Sequence, residues 1–239
     1  MKAIISLLFL VILIYCGWNG YRKGLIRGVG ALLAFVVAVY AANLLAVTYS
    51  GEIIDALRPF ASGYVEVNVI NDRVAGEMGI SASGLSVEDY LAASPEQSEE
   101  FCTKIFEGVG IYRSAAEQMA DESITYAQMN SMDLRDAAVE ILCMRMSFVV
   151  FFCLAFLMIL ILLTVVSNLI NLTFKIPNFD FLNDVSGTVL GFIFGICLCL
   201  VFGWALKFTG ILIPQETLDN TFLVTWFMNH SILVHFLGI

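Results

Sequence analysis

Four long stretches without a charged residue dominate this 239-residue sequence, at positions 3–18, 29–47, 146–170 and 187–206. The second stretch has 19 residues, and as an α-helix it would cover about 28 Å, close to the thickness of a bilayer's hydrocarbon core. Because lipid offers no hydrogen-bond partners to the backbone, uninterrupted apolar stretches of this length cross a membrane as helices. The sequence therefore predicts an all-α integral membrane protein with about four transmembrane helices.

Composition supports this class and excludes others. The chain is 59% hydrophobic and 14% charged, with a mean hydropathy of +0.87, whereas soluble domains carry about a quarter charged residues. These values exclude a soluble enzyme, a disordered chain and a secreted disulfide scaffold. The net charge of −9 argues against nucleic acid as a partner, because phosphates select basic surfaces.

The charges divide the chain into segments. Positions 48–145 hold 17 of the 21 acidic residues and 6 of the 12 basic ones, and we interpret them as an acidic, mostly helical extramembrane insert. Residues 1–47 are assigned to helices 1 and 2 with a basic loop, and 146–213 to helices 3 and 4. The apolar, aromatic tail at 214–239 is expected at the membrane interface, with a short fifth span as the alternative.

Within the insert, Ser94-Pro95-Glu96-Gln97 has the pattern of a helix start, with a capping serine and proline in the first turn. A later helix is predicted to run from Asp133 unbroken into the third span, because no glycine or proline interrupts it. Residues 62–84 contain a short strand-like run broken by glycines, and they are interpreted mostly as loop.

The orientation follows from the basic residues of the short loops. Arg22, Lys23 and Arg27 lie between the first two spans, and cytoplasmic loops carry an excess of such residues. We therefore expect this loop in the cytoplasm, and both termini and the insert outside. Cys102 and Cys143 lie in the insert, and the sequence leaves open whether they pair. No small residues suitable for signal cleavage precede Trp18, so the first span is expected to stay in place.

Glycines recur along the fourth span, at Gly187, Gly191, Gly195 and Gly203. Gly24 and Gly28 have the same four-residue spacing before the second span. Rows of small residues allow two helix backbones to approach closely. These glycines are predicted to pack helices, either within one chain or between copies of it.

Side chains that carry out chemistry are scarce. The two histidines are five residues apart in the tail, and the sequence has neither a metal-binding cysteine spacing nor a known nucleophile or phosphate-loop motif. No charged residue lies in the middle of a span, which argues against a proton-coupled transporter. We therefore predict a protein that is not an enzyme and has no catalytic residues, cofactor or metal.

Two segments resemble the colicin V production (CvpA) family of bacterial inner-membrane proteins. Gly20-Tyr21-Arg22-Lys23-Gly24-Leu25-Ile26-Arg27 is similar to the family's G-x-x-x-G-hydrophobic-x-R loop. Leu182-Asn183-Asp184-Val185-Ser186-Gly187, continuing to Gly191, is similar to its Leu-Asp-Arg-x-x-Gly-x-x-x-Gly segment. The aspartate is displaced to Asp184, Val185 stands where a basic residue usually follows it, and family members mostly lack so long an insert. The resemblance covers the two membrane halves and skips the insert.

This resemblance implies a multi-pass protein of the bacterial cytoplasmic membrane, linked to toxin production or export and to envelope maintenance. Arg22, Lys23, Arg27 and Asp184 would be the family's polar landmarks, serving topology and helix packing. The expected partners are the lipid bilayer, a second copy of the chain, and an envelope protein contacting the acidic insert. An oligomeric channel or transporter-like pore, packed through the glycines of the fourth span, is the alternative.

Overall fold

The computed structural model describes residues 2–80, 86–169, 180–208 and 222–229, and in these ranges the chain forms helices and short connections without a strand. The helices are α1 (Lys2–Tyr49), α2 (Gly51–Tyr64), α3 (Ala75–Glu77), α4 (Val87–Ala93), α5 (Ser98–Val109), α6 (Arg113–Asn130), α7 (Leu134–Leu169), α8 (Asp180–Leu206) and α9 (Phe222–Asn229). Among the described residues, three segments are long and apolar enough to cross a membrane, at Ile5–Tyr49, Leu134–Asn168 and Asn183–Leu206. The predicted all-α membrane protein is confirmed.

The first of these segments reverses direction at Gly24, whose backbone has φ 76° and ψ −179°. Cys16 contacts α8 beside Gly191 and Gly195. The ring of Phe35 lies 6.0 Å from that of Phe194, which belongs to the same turn of α8. In a straight helix, Cys16 and Phe35 would be about 28 Å apart. Helix α1 therefore consists of two stretches, residues 2–23 (α1a) and 25–49 (α1b), that run side by side.

Contacts divide the chain into two compact units, of which the first comprises Met1–Val47, Phe151–Leu206 and Glu216–Ile239. Its interior is rich in aromatic pairs. The ring of Phe35 meets that of Phe156 edge-on at 5.6 Å, and Phe152 meets Trp204 at 5.3 Å. These rings join α1b, α7 and α8 in one core.

The tail helix α9 also packs in this unit. Phe227 and Met228 are buried, and the ring of Phe227 lies 5.6 Å from that of Phe9. These two residues of the tail therefore pack against an apolar neighbour within the chain, and the interfacial position of the tail stays a prediction. Residues 209–221 and 230–239, with both histidines, lie outside the described residues.

The second unit comprises Thr48–Val150 and Lys207–Gln215. Its core lies between α5 and α6, where the buried side chains include Phe101, Cys102, Ile105, Phe106, Ala115, Ala116, Met119 and Ala120. Helix α5 ends at Gly110, whose φ of 100° is the left-handed conformation typical of a helix end. The amide of Tyr112, after this turn, donates to the carbonyl oxygen of Lys207 at 2.9 Å.

Residues 65–74 form a π-helix between α2 and α3, so the loop interpretation of 62–84 is wrong as far as residue 80. Its buried residues are Val65, Val69, Ile70 and Val74. They recur every four to five positions, which suits the wider π-helical turn better than the α-helical repeat. The predicted helix start with Ser94 as its capping residue is wrong: Ser94 follows the end of α4, a 3₁₀ turn at Pro95–Gln97 comes next, and α5 begins after Gln97 without a capping hydrogen bond from its side chain. The predicted continuous helix from the insert into the third span is α7.

Both cysteines of the insert are free and buried. Burial, together with the nearby negative charge of Asp133, raises the pKa of the Cys102 thiol to about 12. Since the thiolate is the reactive form, this raised pKa and the burial of the side chain both lower the reactivity of Cys102.

Gly24→Ala tests the reversal of α1. A positive φ with ψ near 180° is essentially restricted to glycine and strains other residues by about 1–3 kcal/mol, and the new methyl would also overlap the side chain of Asn183. We expect a clearly lower midpoint of thermal unfolding in detergent. Gly30→Ala is the matched control, because nothing lies within 4 Å of its added methyl. An equal midpoint for the two variants would contradict the reversal.

Candidate functional site

The glycines of α8 lie against the backbone of α1a. A methyl group added at Gly187 would lie 2.5 Å from the carbonyl oxygen of Gly20 and 2.7 Å from the Cα of Gly24. At Gly191 it would overlap the carbonyl oxygen of Cys16. Any larger residue would push the helices apart, so the close contact depends on these two glycines.

The contact continues for one more turn at Gly195. A methyl group there would lie 3.1 Å from the Cβ of Cys16 and 3.3 Å from the Cδ2 of Leu13. Gly187, Gly191 and Gly195, the glycine row of α8, therefore follow α1a from residue 24 back to residue 13, and the two helices are antiparallel. Gly20, named above as part of the family pattern and not as a packing residue, also belongs to this contact, and its position four residues before Gly24 is the signal for it.

The other two predicted glycines contact different neighbours. A methyl at Gly28 would lie 3.0 Å from the side chain of Leu190, and one at Gly203 would lie 3.2 Å from the backbone carbon of Phe227 in α9. Gly203 lies eight residues after Gly195, on the same four-residue spacing, but it contacts α9 instead of α1a. The reason is that α1a and α9 lie against successive parts of α8.

Asn183 holds the reversal between α1a and α1b. The amide of Leu25, the first residue after Gly24, donates to the side-chain oxygen of Asn183 at 3.0 Å. The first amides of a helix lack partners within that helix, and here a side chain from α8 supplies one. Asn183 therefore caps α1b from a position 158 residues away in the sequence.

Asp184, the residue predicted from the family pattern, has a different role. Its carbonyl oxygen accepts from the hydroxyl of Thr188 at 2.8 Å, a bond within α8. Counted back four residues from Gly187, the pattern's aspartate falls on Asn183. Asn183 is absent from the residues predicted for this site because an amide stands where the pattern has an acid, although the spacing points to it.

The predicted basic residues lie around the same reversal. Arg22 is exposed, while Lys23 and Arg27 are half-buried. Lys23 and Arg27 line a cleft of about 270 Å³ in the first unit, which is bounded by α1a, α1b, α7 and α8. Asn19, Ser167 and Asn168 line it too, and of the described residues that line it none is acidic.

In the insert, basic side chains are engaged in ion pairs. Arg58 binds Glu140 through two hydrogen bonds of 2.7 and 2.8 Å, although Glu140 is buried. Lys104 binds Glu77 at 2.8 Å, which lowers the pKa of the Glu77 carboxyl and raises that of Lys104. Further pairs join Arg113 to Glu117, Arg135 to Glu66 and Arg145 to Glu122.

Other carboxylates of the insert face solvent. The exposed acidic residues that form no ion pair with a described residue are Glu52, Asp89, Glu96, Glu99, Glu100, Asp121 and Asp136. Because the insert has 17 acidic residues against 6 basic ones, most of which already pair with carboxylates, these acids leave its surface negative.

A disulfide tests whether the glycine row packs within one chain. Gly195→Cys, with Cys197 and Cys199 replaced by alanine, places a new thiol next to Cys16, and a shift of a few tenths of an ångström gives normal disulfide spacing. We expect oxidation to link the two within a monomer, observed by non-reducing electrophoresis and peptide mass. The same variant with Cys16→Ser should stay unlinked. A disulfide-linked dimer as the main product would place the row between chains.

Comparison with known proteins gives one match. The family model described as colicin V production protein matches residues 112–232, about half of the chain. The match begins within the insert and contains α7, α8 and α9, whereas the expected coverage skipped the insert and included residues 1–47. Searches of curated proteins and of solved structures find no match. With its apolar helices and the family match over its second half, the chain belongs to the colicin V production family of membrane proteins.

Proposed function

We propose that this chain is a non-enzymatic accessory or scaffold protein that supports toxin production, toxin export or envelope maintenance. Family membership supports the link to toxin production. The observation that carries the proposal is the acidic insert, a folded helical unit with its own apolar core and exposed, unpaired carboxylates. Such a unit is suited to bind a partner with a basic surface, because complementary charge favours encounter and register.

The proposed location is the bacterial cytoplasmic membrane, with the insert on the extracytoplasmic side. Arg22, Lys23 and Arg27 cluster around the reversal at Gly24, and such clusters favour the cytoplasmic face. In this orientation the insert's partner is an envelope protein.

The alternative is an oligomeric channel or transporter-like pore. The pore predicted from the sequence packs through the glycines of α8. Gly187, Gly191 and Gly195 contact α1a of the same chain, so a pore would need a different surface between subunits. The scaffold is therefore favoured, and a homo-oligomer assembled through another face stays compatible with it.

Charge reversal tests the partner surface. We expect Glu96→Lys, Glu99→Lys and Glu100→Lys together to reduce complementation of a strain lacking the chain, because three adjacent exposed carboxylates change sign. Toxin secretion and survival under envelope stress are the readouts, with the amount of protein in the membrane measured alongside.

The matched control reverses three scattered exposed acids, at Glu52, Asp121 and Asp136. A loss confined to the first set would locate the partner at the start of α5, and a loss with both sets would assign it to the whole acidic surface. Full complementation by both sets would contradict partner binding by these acids.

Thiol labelling tests the side of the insert. Gln128 is exposed in α6, so Gln128→Cys should react with a membrane-impermeant maleimide in intact cells. The parent chain is the control, because Cys102 and Cys143 are buried and should stay unlabelled. Reaction only after permeabilisation would place the insert in the cytoplasm and reverse the proposed orientation.

A further inference from the structure

The cleft beside the reversal of α1 is polar at one end and apolar at the other. At the polar end, Asn19 and Lys23 from α1a and Arg27 from α1b lie with Ser167 and Asn168 near the end of α7. Toward the other end, its wall consists of Ile12, Ala34, Leu160, Leu163, Phe194 and Leu198. On α7 alone, the change from Asn168 to Leu160 spans eight residues, or about 12 Å of helix.

The charge of this cleft contrasts with that of the chain. The protein carries a net charge of −9, and yet the ammonium-bearing side chain of Lys23 lines the cleft, next to Arg27, with no acidic residue among the described residues of the lining. The orientation of the chain in the membrane does not by itself explain why a cation lies in the cleft, since an exposed cation such as Arg22 serves as an orientation signal equally well. Partial burial of a charge is costly unless an opposite charge accompanies it, so the half-buried Lys23 favours an anion in the cleft.

The shape of the cleft limits what that anion is. A volume of about 270 Å³ is at the small end of ligand pockets, which is enough for a phosphate group, its glycerol and the start of one acyl chain. The apolar wall would be unfavourable for a free, fully hydrated ion, whereas it suits hydrocarbon. Basic pockets between transmembrane helices are known to bind the headgroups of anionic lipids.

We infer that this cleft binds one anionic phospholipid, whose phosphodiester lies between Lys23 and Arg27. Asn19, Ser167 and Asn168 supply neutral hydrogen-bond donors to the headgroup, and one acyl chain begins along the wall formed by Leu160, Leu163 and Phe194. Because α1a, α1b, α7 and α8 all contribute to the cleft, the bound lipid joins the four helical stretches at the basic end of the first unit.

Native mass spectrometry of the full-length protein tests this site. The protein is released from micelles doped with phosphatidylglycerol or with phosphatidylcholine, and bound lipid is counted per chain. We expect one retained phosphatidylglycerol and much weaker retention of phosphatidylcholine. Equal retention of the two lipids would overturn the inference, because the cations would then contribute nothing.

Lys23→Gln is the main variant, since it removes the charge and keeps a side chain of similar length. We expect its affinity for phosphatidylglycerol to fall about tenfold, the size of one charge-assisted hydrogen bond. Arg22→Gln is the matched control, with the same loss of charge on the adjacent, exposed position, and it should bind as the parent does. The thermal unfolding midpoint of each variant verifies that it is folded. An equal fall in both variants would indicate unspecific attraction and overturn the site.

Competition separates a lipid site from a phosphate site. Millimolar inorganic phosphate and glycerol phosphate carry the same anionic group without acyl chains. Neither should displace phosphatidylglycerol if the apolar wall contributes to binding. Displacement by either would assign the cleft to a free phosphate compound and overturn the lipid assignment. Ala34→Phe, which narrows the apolar end, should weaken lipid binding without removing a charge.

Discussion

The backbone-to-backbone contact between α1a and α8 is the interaction on which the membrane unit depends. Lipid is as apolar as the side chains that face it, so helices in a bilayer gain little from burying hydrocarbon against each other. Close approach through glycine increases the dispersion contacts instead. Gly187 and Gly191 meet Gly20 and Cys16 at distances that no larger side chain would allow. This contact fixes α1a antiparallel to α8, and the remaining helices of the unit pack around the pair.

The reversal at Gly24 follows from the same contact. Its positive φ is accessible because glycine has no Cβ, and the space that a side chain would fill is occupied by Asn183. Asn183 in turn satisfies the amide of Leu25, so one residue of α8 both limits the turn and caps the helix that follows. The reversal brings Lys23 and Arg27 to the same cleft. Two basic residues of one short sequence segment thereby line a single cleft between helices.

The insert is stabilised differently, since it has its own core and a surplus of negative charge. Apolar residues of α5 and α6 form that core. The buried carboxylate of Glu140 accepts two hydrogen bonds from the guanidinium of Arg58. The surface is negative because the insert has 17 acidic residues against 6 basic ones, and most of those bases already pair with carboxylates.

The sequence by itself determined the fold class, the helical and acidic character of the insert, the long helix α7 and the small-residue spacing on α8. These features depend on local composition and periodicity, which any segment carries by itself. The tertiary structure decided which helix the glycines contact, that Asn183 and Gly20 belong to the site, that 65–74 is helical and that Phe227 is buried. Each of these depends on a neighbour far away in the chain, as Leu25 and Asn183 illustrate. A pattern of small residues predicts that another helix backbone comes close, whereas only the packed helices determine which helix that is.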